Sequence, residues 1–241
     1  MLSSFRSIRF GLMVGIGGGS PSLADIRLGD VVVGKPTTAF GGVVQYDYGK
    51  TIRDGVFERT GTLNKPPRVL LTALSKLQAN HLIHGSQIPR LLSEIMNPTF
   101  MPQDQDRLFH PEYHHTSSGV TCDECDQHRL MARTPRGKHS PKIHYGVIAS
   151  GNWVLKDGCT RDRLAREYNI LCFEMEAAGL MDNFPCLVIR GISDYADSHK
   201  NKAWQGYAAA TAAAYTKELL SVVPTKQVED TTTVSHLNSI S

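Results

Sequence analysis

Two glutamates, one residue apart, interrupt an otherwise apolar stretch, NILCFEMEAAGLM, from Asn169 to Met181. A lone buried carboxylate carries a penalty on the order of several kcal/mol unless something pairs with it. Glu174 and Glu176 therefore either turn to water at a helix start or face a ligand. A helix N-terminus would favour them by roughly 0.3–1 kcal/mol. The flanks are apolar on both sides, Leu171, Cys172 and Phe173 before, Met175, Ala177 and Ala178 after, and this argues for the ligand. If the chain stays extended through both acids, they point to one face.

Asp194 poses a similar choice at the end of the apolar run PCLVIRGIS. It is either the N-cap of a following helix or a carboxyl at a strand exit, beside an apolar pocket, where it can act as a general acid. The stretch GIGGGS, Gly15 to Ser20, fits neither the dinucleotide fingerprint, because Ser20 takes the last glycine position, nor a P-loop, because no Gly-Lys-Ser/Thr follows. It reads as a tight strand exit, or as backbone that lets something flat or anionic come close. CDEC, Cys122 to Cys125, has Cys-x-x-Cys spacing, with His110, His114, His115 and His128 nearby. Tetrahedral zinc needs four ligands, and two of these histidines could complete a set. No second Cys-x-x-Cys is present, so a surface disulfide or plain thiols is the plainer reading, and no metal ligand is assigned.

These residues need elements to hold them. Phe10 to Val14 reads as a buried strand entering a glycine turn at Gly15 to Gly19. Val31 to Val33 is a second strand, stopped by Gly34 and Pro36, and VVQYDYGKT alternates like a third. Val69, Leu70, Ala73, Leu74 and Leu77 fall at helical spacing after Pro66 and Pro67. From about His84 to Pro141 periodicity is lost, which predicts a surface insertion with one short helix at Gln87 to Met96. Beyond it come the strand KIHYGVIAS with a glycine turn, the amphipathic helix TRDRLAREYNI with Leu164 and Ala165 inward, and the strand ILCFEME. The helix start AAGLMDNF, the strand PCLVIRGISD and an alanine-rich helix ended by Pro224 follow. Residues 224–241 are polar and aperiodic and are expected to form a disordered tail. Alternating strands and helices predict an α/β fold with a mixed, largely parallel sheet. Such sheets bind ligands at the carboxyl ends of their strands, where Gly15–Gly19, Ser150–Trp153, Glu174–Glu176 and Gly191–Asp194 all fall.

Composition excludes several classes. The 241 residues carry a net charge of +3, too mild for nucleic-acid binding, and are 41% hydrophobic without a run long enough to span a membrane. Five cysteines lack framework spacing, which predicts a reducing, cytoplasmic setting.

Five segments in order, GLMVGIGGGSPSLADIRLGDVVVGKP, QYDYGK, GVIASGNWV, FEMEAAGLM and VIRGISDYAD, together resemble the nucleoside phosphorylase/nucleosidase superfamily. The version at the head of fungal multidomain proteins with NACHT, ankyrin or tetratricopeptide regions is the most similar. The resemblance covers roughly residues 8 to 222 and implies a three-layer phosphorylase/hydrolase-like domain over 1–223, with the 84–141 insertion typical of that version. It also implies that the chain starts after the family's first strand and hairpin, leaving a sheet edge exposed and one pocket wall missing.

The resemblance implies roles as well. Glu176 would hold the ribose hydroxyls and Met175 would pack beneath the sugar. Asp194 would bond purine N7 and protonate the leaving base. Gly17 and Gly18 would line sugar and base, and Asn152 and Trp153 would belong to the base-binding loop. Glu174 sits at a position that is often acidic. The implied activity is cleavage of the N-glycosidic bond of a purine nucleoside or nucleotide, by phosphate or water; a nucleoside-binding or signalling module without turnover is the alternative. No cofactor is expected, inorganic phosphate is admitted as co-substrate, and self-association is expected.

Overall fold

The computed structural model describes residues 4–95, 105–115, 121–136 and 141–237. Its strands are β1 (Gly11–Gly19), β2 (Val31–Gly34), β3 (Val43–Gln45), β4 (Gly49–Thr51), β5 (Phe57–Arg59), β6 (Ile143–Ser150), β7 (Ile170–Glu174) and β8 (Cys186–Asp194). Its α-helices are α1 (Arg68–His84), α2 (Ile88–Ile95), α3 (Gly158–Tyr168), α4 (Ala178–Met181), α5 (Gln205–Val222), α6 (Thr225–Glu229) and α7 (Val234–Leu237). Six strands form one mixed sheet in the order β2-β8-β1-β7-β6-β3. Strand β2 also pairs with β6, so the sheet curls back on itself. Parallel ladders dominate, with antiparallel ones between β1 and β7 and between β2 and β8. The expected mixed, largely parallel α/β sheet is what the chain forms.

Apolar residues on both faces explain the burial. In β2, Val31 and Val33 pack with Leu187 and Ile189 of β8 against α1, α2 and α5. Val32 and Val188, of opposite parity, pack with Ile148, Ile192 and Met181 on the other face. Successive side chains of a strand point to opposite faces, so a strand covered on both sides must be apolar throughout. Helix α3 closes a third cluster through Leu164 and Ala165 against Val147, Ile170 and Phe173.

Several expectations are corrected. The glycines at Gly15 to Gly19 are not a turn but the second half of β1. VVQYDYGKT splits into β3 and β4, the latter pairing with β5 in a separate hairpin. The insertion expected from His84 is corrected at its start, because Ile88, Leu91 and Leu92 of α2 belong to the main core. Glu218 of α5 accepts bonds from Gln87 N at 2.9 Å and Ser86 Oγ at 3.1 Å, and its Oε1 lies 2.8 Å from His81 Nε2. The disordered tail is not seen over 224–237, where α6 and α7 form. Val234 is fully buried, its N–H donates to the Ile8 carbonyl at 2.8 Å, and Arg9 Nη1 donates to the Thr231 carbonyl at 2.7 Å. Residues 238–241 lie outside the described residues. Strand β1 pairs with β8 along its length but meets β7 only at Gly18 and Gly19. No helix among the described residues is long and apolar enough to cross a membrane.

Candidate active site

The last residues of β1, β7 and β8 converge on one cleft. Gly17 and Gly18 come from β1, Phe173 and Glu174 from β7, and Ser193 and Asp194 from β8. The loops after β7 and β8 add Met175, Glu176, Ala196 and Lys200; Tyr46 and the Trp153–Leu155 segment form the opposite wall. The empty space, its open mouth included, is about 610 Å³, enough for a nucleoside.

The glycines of β1 are explained by what lies against them. A Cβ at Gly15 would stand 2.1 Å from Arg190 Nη1, so its absence leaves the channel through which the arginine runs. At Gly17 a Cβ would lie 2.8 Å from the Phe173 carbonyl oxygen, and at Gly18 2.8 Å from Asp194 Oδ1. Any side chain at these positions would push β7 and Asp194 away from the cleft.

Arg190 ties the two glutamates together. Its Nη2 donates to Glu174 Oε2 in a short contact and to Glu176 Oε2 at 3.0 Å. Beyond this shared arginine the two acids differ. The Glu174 side chain is 1% exposed, whereas that of Glu176 is 63% exposed. Both Glu174 oxygens accept from Ala177 N at 3.1 Å, and Oε2 also from Glu176 N at 3.3 Å. Glu174 thus caps the start of α4 and is satisfied by protein, while Glu176 stands open to the cleft.

Asp194 is buried within a set of donors. Ser193 Oγ donates to Oδ2 at 2.9 Å, Ala196 N donates to Oδ1 at 2.9 Å, and Lys200 Nζ lies 3.2 Å from Oδ2. Trp153 is 74% exposed at the mouth, and its carbonyl accepts from Tyr46 Oη at 3.2 Å. Burial raises the Tyr46 pKa, so this hydroxyl remains a donor at neutral pH. Tyr46 meets Phe173 edge to face, with centroids 5.8 Å apart.

The cleft thus gathers Gly17, Gly18, Trp153, Glu174, Met175, Glu176 and Asp194. Asn152 is not among its lining residues; its N–H donates to Asp47 Oδ2 at 2.7 Å on the exposed side of the loop. The sequence reading missed Arg190, Lys200, Ser193, Tyr46 and Phe173. Arg190 had a signal: one arginine inside CLVIRGIS must find a carboxylate if that strand is buried. Lys200 had none, because it reaches Asp194 only through the fold of the intervening loop.

Cys122 and Cys125 are buried and are not joined in a surface disulfide. They lie with His115 outside the cleft.

In fold the chain is similar to solved nucleosidases, and in parts of its sequence to curated ones, of whose length it spans well under half. No family model matches the chain. It is 48% identical over 229 residues to a nucleotide-binding leucine-rich repeat (NLR)-like protein of the fungus Hyaloscypha variabilis, covering 92% of this chain and 22% of that protein. It is 37% identical over 84 residues to the ATP nucleosidase Cap17 of Escherichia coli, covering 32% of this chain and 17% of the relative. A 5'-methylthioadenosine/S-adenosylhomocysteine nucleosidase of Mycobacterium bovis is 31% identical over 93 residues, 36% of each chain. Among solved structures, futalosine hydrolase of Helicobacter pylori superposes with TM-score 0.52 at 19% identity over 92% of this chain and 71% of that one. The methylthioadenosine/adenosylhomocysteine nucleosidase of Neisseria meningitidis, in complex with methylthio-immucillin-A, gives TM-score 0.54 at 15% identity, covering 91% and 72%.

Proposed function

We propose that the chain cleaves the N-glycosidic bond of a purine nucleoside or nucleotide, with water as the nucleophile. The observation that carries this is the pairing of an open carboxylate, Glu176, with a buried one, Asp194, on two strand exits of one cleft. Glu176 accepts hydrogen bonds from the ribose hydroxyls, with Met175 beneath the sugar. As the bond from C1′ to the base breaks, its electron pair leaves with the base and the sugar becomes oxocarbenium-like. The Glu176 charge stabilises that cation. A proton drawn from the paired Lys200 ammonium, 3.2 Å away, passes through Asp194 to N7, so the base leaves neutral. Tyr46, Phe173 and Trp153 supply aromatic surface for a flat base. Water then attacks C1′, and the proton it gives up returns to the Asp194–Lys200 pair, which is thereby restored.

Water is favoured over phosphate by the charge of the cleft. Among the described lining residues the one ammonium, Lys200, is paired with Asp194, and Arg190 behind it is held by two glutamates. A phosphate anion would meet no uncommitted side-chain cation there. The named nucleosidases and the hydrolase among its relatives and structural neighbours support the same reading.

The test is chromatographic detection of free base from adenosine, inosine, guanosine, methylthioadenosine and ATP, each with and without inorganic phosphate. Release without phosphate, lost in Asp194→Asn, is the expected result. Release only with phosphate would replace hydrolysis by phosphorolysis. Nucleoside binding by a folded chain with no release would leave a recognition module in place of an enzyme.

A further inference from the structure

The segment between α2 and β6 holds a second cluster of chemically capable side chains. Its described residues are tied together by a few contacts. Phe109 bridges to Leu130, Met131 N donates to the Leu108 carbonyl at 2.8 Å, and His110 N donates to the Arg129 carbonyl at 2.9 Å. Among the described residues its core is Phe109, Cys122 and Cys125, with Tyr113 and Leu130 packed alongside. A unit of this size rarely holds its shape on apolar contact alone and is commonly stapled by a disulfide or a metal.

The donor set fits a metal. One ligand atom each from His115, Cys122 and Cys125 lies within 4.8 Å of the others. Tetrahedral zinc, with bonds of about 2.0–2.3 Å, holds its ligand atoms roughly 3.5–4 Å apart. The turn that brings the thiols together is braced: Cys125 N donates to the Cys122 carbonyl at 3.2 Å, which also accepts from Arg107 Nη1 at 2.7 Å. His115 Nε2 lies 3.0 Å from the Thr121 carbonyl, which can only accept. Nε2 therefore carries the proton and Nδ1 the lone pair, the arrangement in which a ligating histidine is oriented by a backbone carbonyl.

An independent observation comes from His199. Its side chain is 6% exposed, and neither ring nitrogen has a hydrogen-bond partner among the described residues. An orphan imidazole in a buried place calls for an explanation, and a missing ion is one. The ring stacks on Phe109, with centroids 4.1 Å apart, and meets the His115 ring edge-on at 5.5 Å. Asp197 Oδ1 stands 3.8 Å from Nδ1, just beyond hydrogen-bond reach, on the side where a carboxylate would orient a ligating histidine.

We propose that His115, Cys122 and Cys125 ligate a structural zinc ion, that the neighbouring His199, which lies outside their 4.8 Å group, turns in as the fourth ligand, and that the site clamps their part of the chain onto the loop carrying Asp194. The clamp reaches the candidate active site through backbone. His199 lies in the loop Tyr195–Lys200, whose two ends are fixed by Asp194 on β8 and by the Lys200 pairing with it. The same loop is held from the other side by His115 N, which donates to Ser198 Oγ at 2.9 Å. Binding zinc releases the thiol protons and converts both sulfurs to thiolates.

The test needs no substrate. Zinc is measured in chain purified without chelator, then replaced by cobalt, whose thiolate charge-transfer and tetrahedral ligand-field bands report sulfur ligation. About one zinc per chain is expected, with both sets of bands in the cobalt form. Cys122→Ser and Cys125→Ser are expected to lose the charge-transfer intensity stepwise, and His199→Ala to weaken cobalt binding by more than about tenfold. Cys159→Ser, at an exposed thiol, is the control and should bind cobalt as the parent chain does. Chelation should lower the melting temperature of the parent chain, a readout that does not depend on any variant folding. A folded chain with neither zinc nor cobalt bands would overturn the site, as would a Cys122–Cys125 disulfide in freshly purified protein. Unchanged cobalt spectra and affinity in His199→Ala would overturn the four-residue assignment.

Discussion

Asp30 and Glu176 are both carboxylates beside an arginine, and they are used in opposite ways. Asp30, whose side chain is 2% exposed, spends both oxygens on protein. Arg136 Nη1 donates to them at 2.8 and 2.9 Å, Arg27 N and Lys142 N each donate at 2.9 Å, and His144 Nε2 lies at 2.9 Å. This hub fastens the start of β2 to the start of β6. Glu176 gives one oxygen to Arg190 and leaves the rest of its carboxylate to the cleft. Glu174 shares that arginine yet resembles Asp30, because its oxygens are filled by backbone and guanidinium. The lesson is that proximity to a cleft does not make an acid functional. The role proposed for Glu176 rests instead on acceptor capacity the protein has not consumed.

That contrast predicts separable effects. Asp194→Asn should lower base release by about 10²–10⁴-fold, the usual worth of a general acid. Glu176→Gln should also cut turnover strongly while leaving the denaturation midpoint close to that of the parent chain, since its side chain is exposed. Asp30→Ala should do the reverse. It leaves Arg136 and His144 facing an empty buried site and should cost about 3–5 kcal/mol in denaturant unfolding. Glu174→Ala falls in the same class, because it removes the buried partner of Arg190 and leaves it only the exposed Glu176. If Asp30→Ala proved nearly neutral in stability, or Glu176→Gln as damaging as Asp30→Ala, unspent acceptor capacity would not be the dividing line.

A smaller effect belongs to the cleft wall. Trp153 is exposed and held through its backbone carbonyl, so Trp153→Ala should leave stability nearly untouched. If its ring covers the base, KM should rise several-fold, equivalent to about 0.5–1.5 kcal/mol of aromatic contact. An unchanged KM would remove Trp153 from the recognition surface.

How much of this was legible in the sequence depends on where the reason for each residue lies. Strands β2, β6, β7 and β8 and helices α1, α3 and α5 carry their reasons locally, in apolar spacing and in proline and glycine stops. Glu176 and Asp194 were legible as cleft-lining residues because an acid after an apolar run is conspicuous. The strand at Gly15–Gly19 was read as a turn because glycine's local preference is for turns, whereas its cause here is a neighbour, the Arg190 side chain. The separation of Glu174 from Glu176 was illegible for the same reason: it depends on which carboxylate reaches the Ala177 N–H. Residues 224–237 looked disordered because their docking rests on Val234 and two backbone carbonyls, of Ile8 and Thr231, rather than on a periodic apolar face.

Asp25 gives the finest test of the comparison, because it touches the same arginine as Asp30 but from the surface. Its side chain is 45% exposed, Arg27 Nε donates to it at 2.9 Å, and Arg136 Nε donates at 3.1 Å. The Arg27 hydrogen bond, opposed in part by burial and aided by Arg136, holds its pKa down at about 2. A depressed carboxylate stabilises the fold above its unfolded pKa of about 4, and the contribution fades as pH falls toward the folded value. Solvent screening limits such a pair to about 0.2–1 kcal/mol. Asp25→Asn should therefore cost a few tenths of a kcal/mol, about the lower part of that range, near neutral pH in low salt. The difference should shrink as pH falls below about 4 and shrink again as salt is added. A cost as large as that of Asp30→Ala would mean that the two aspartates hold Arg136 as one cooperative unit, and that the surface acid is as much a part of the hub as the buried one.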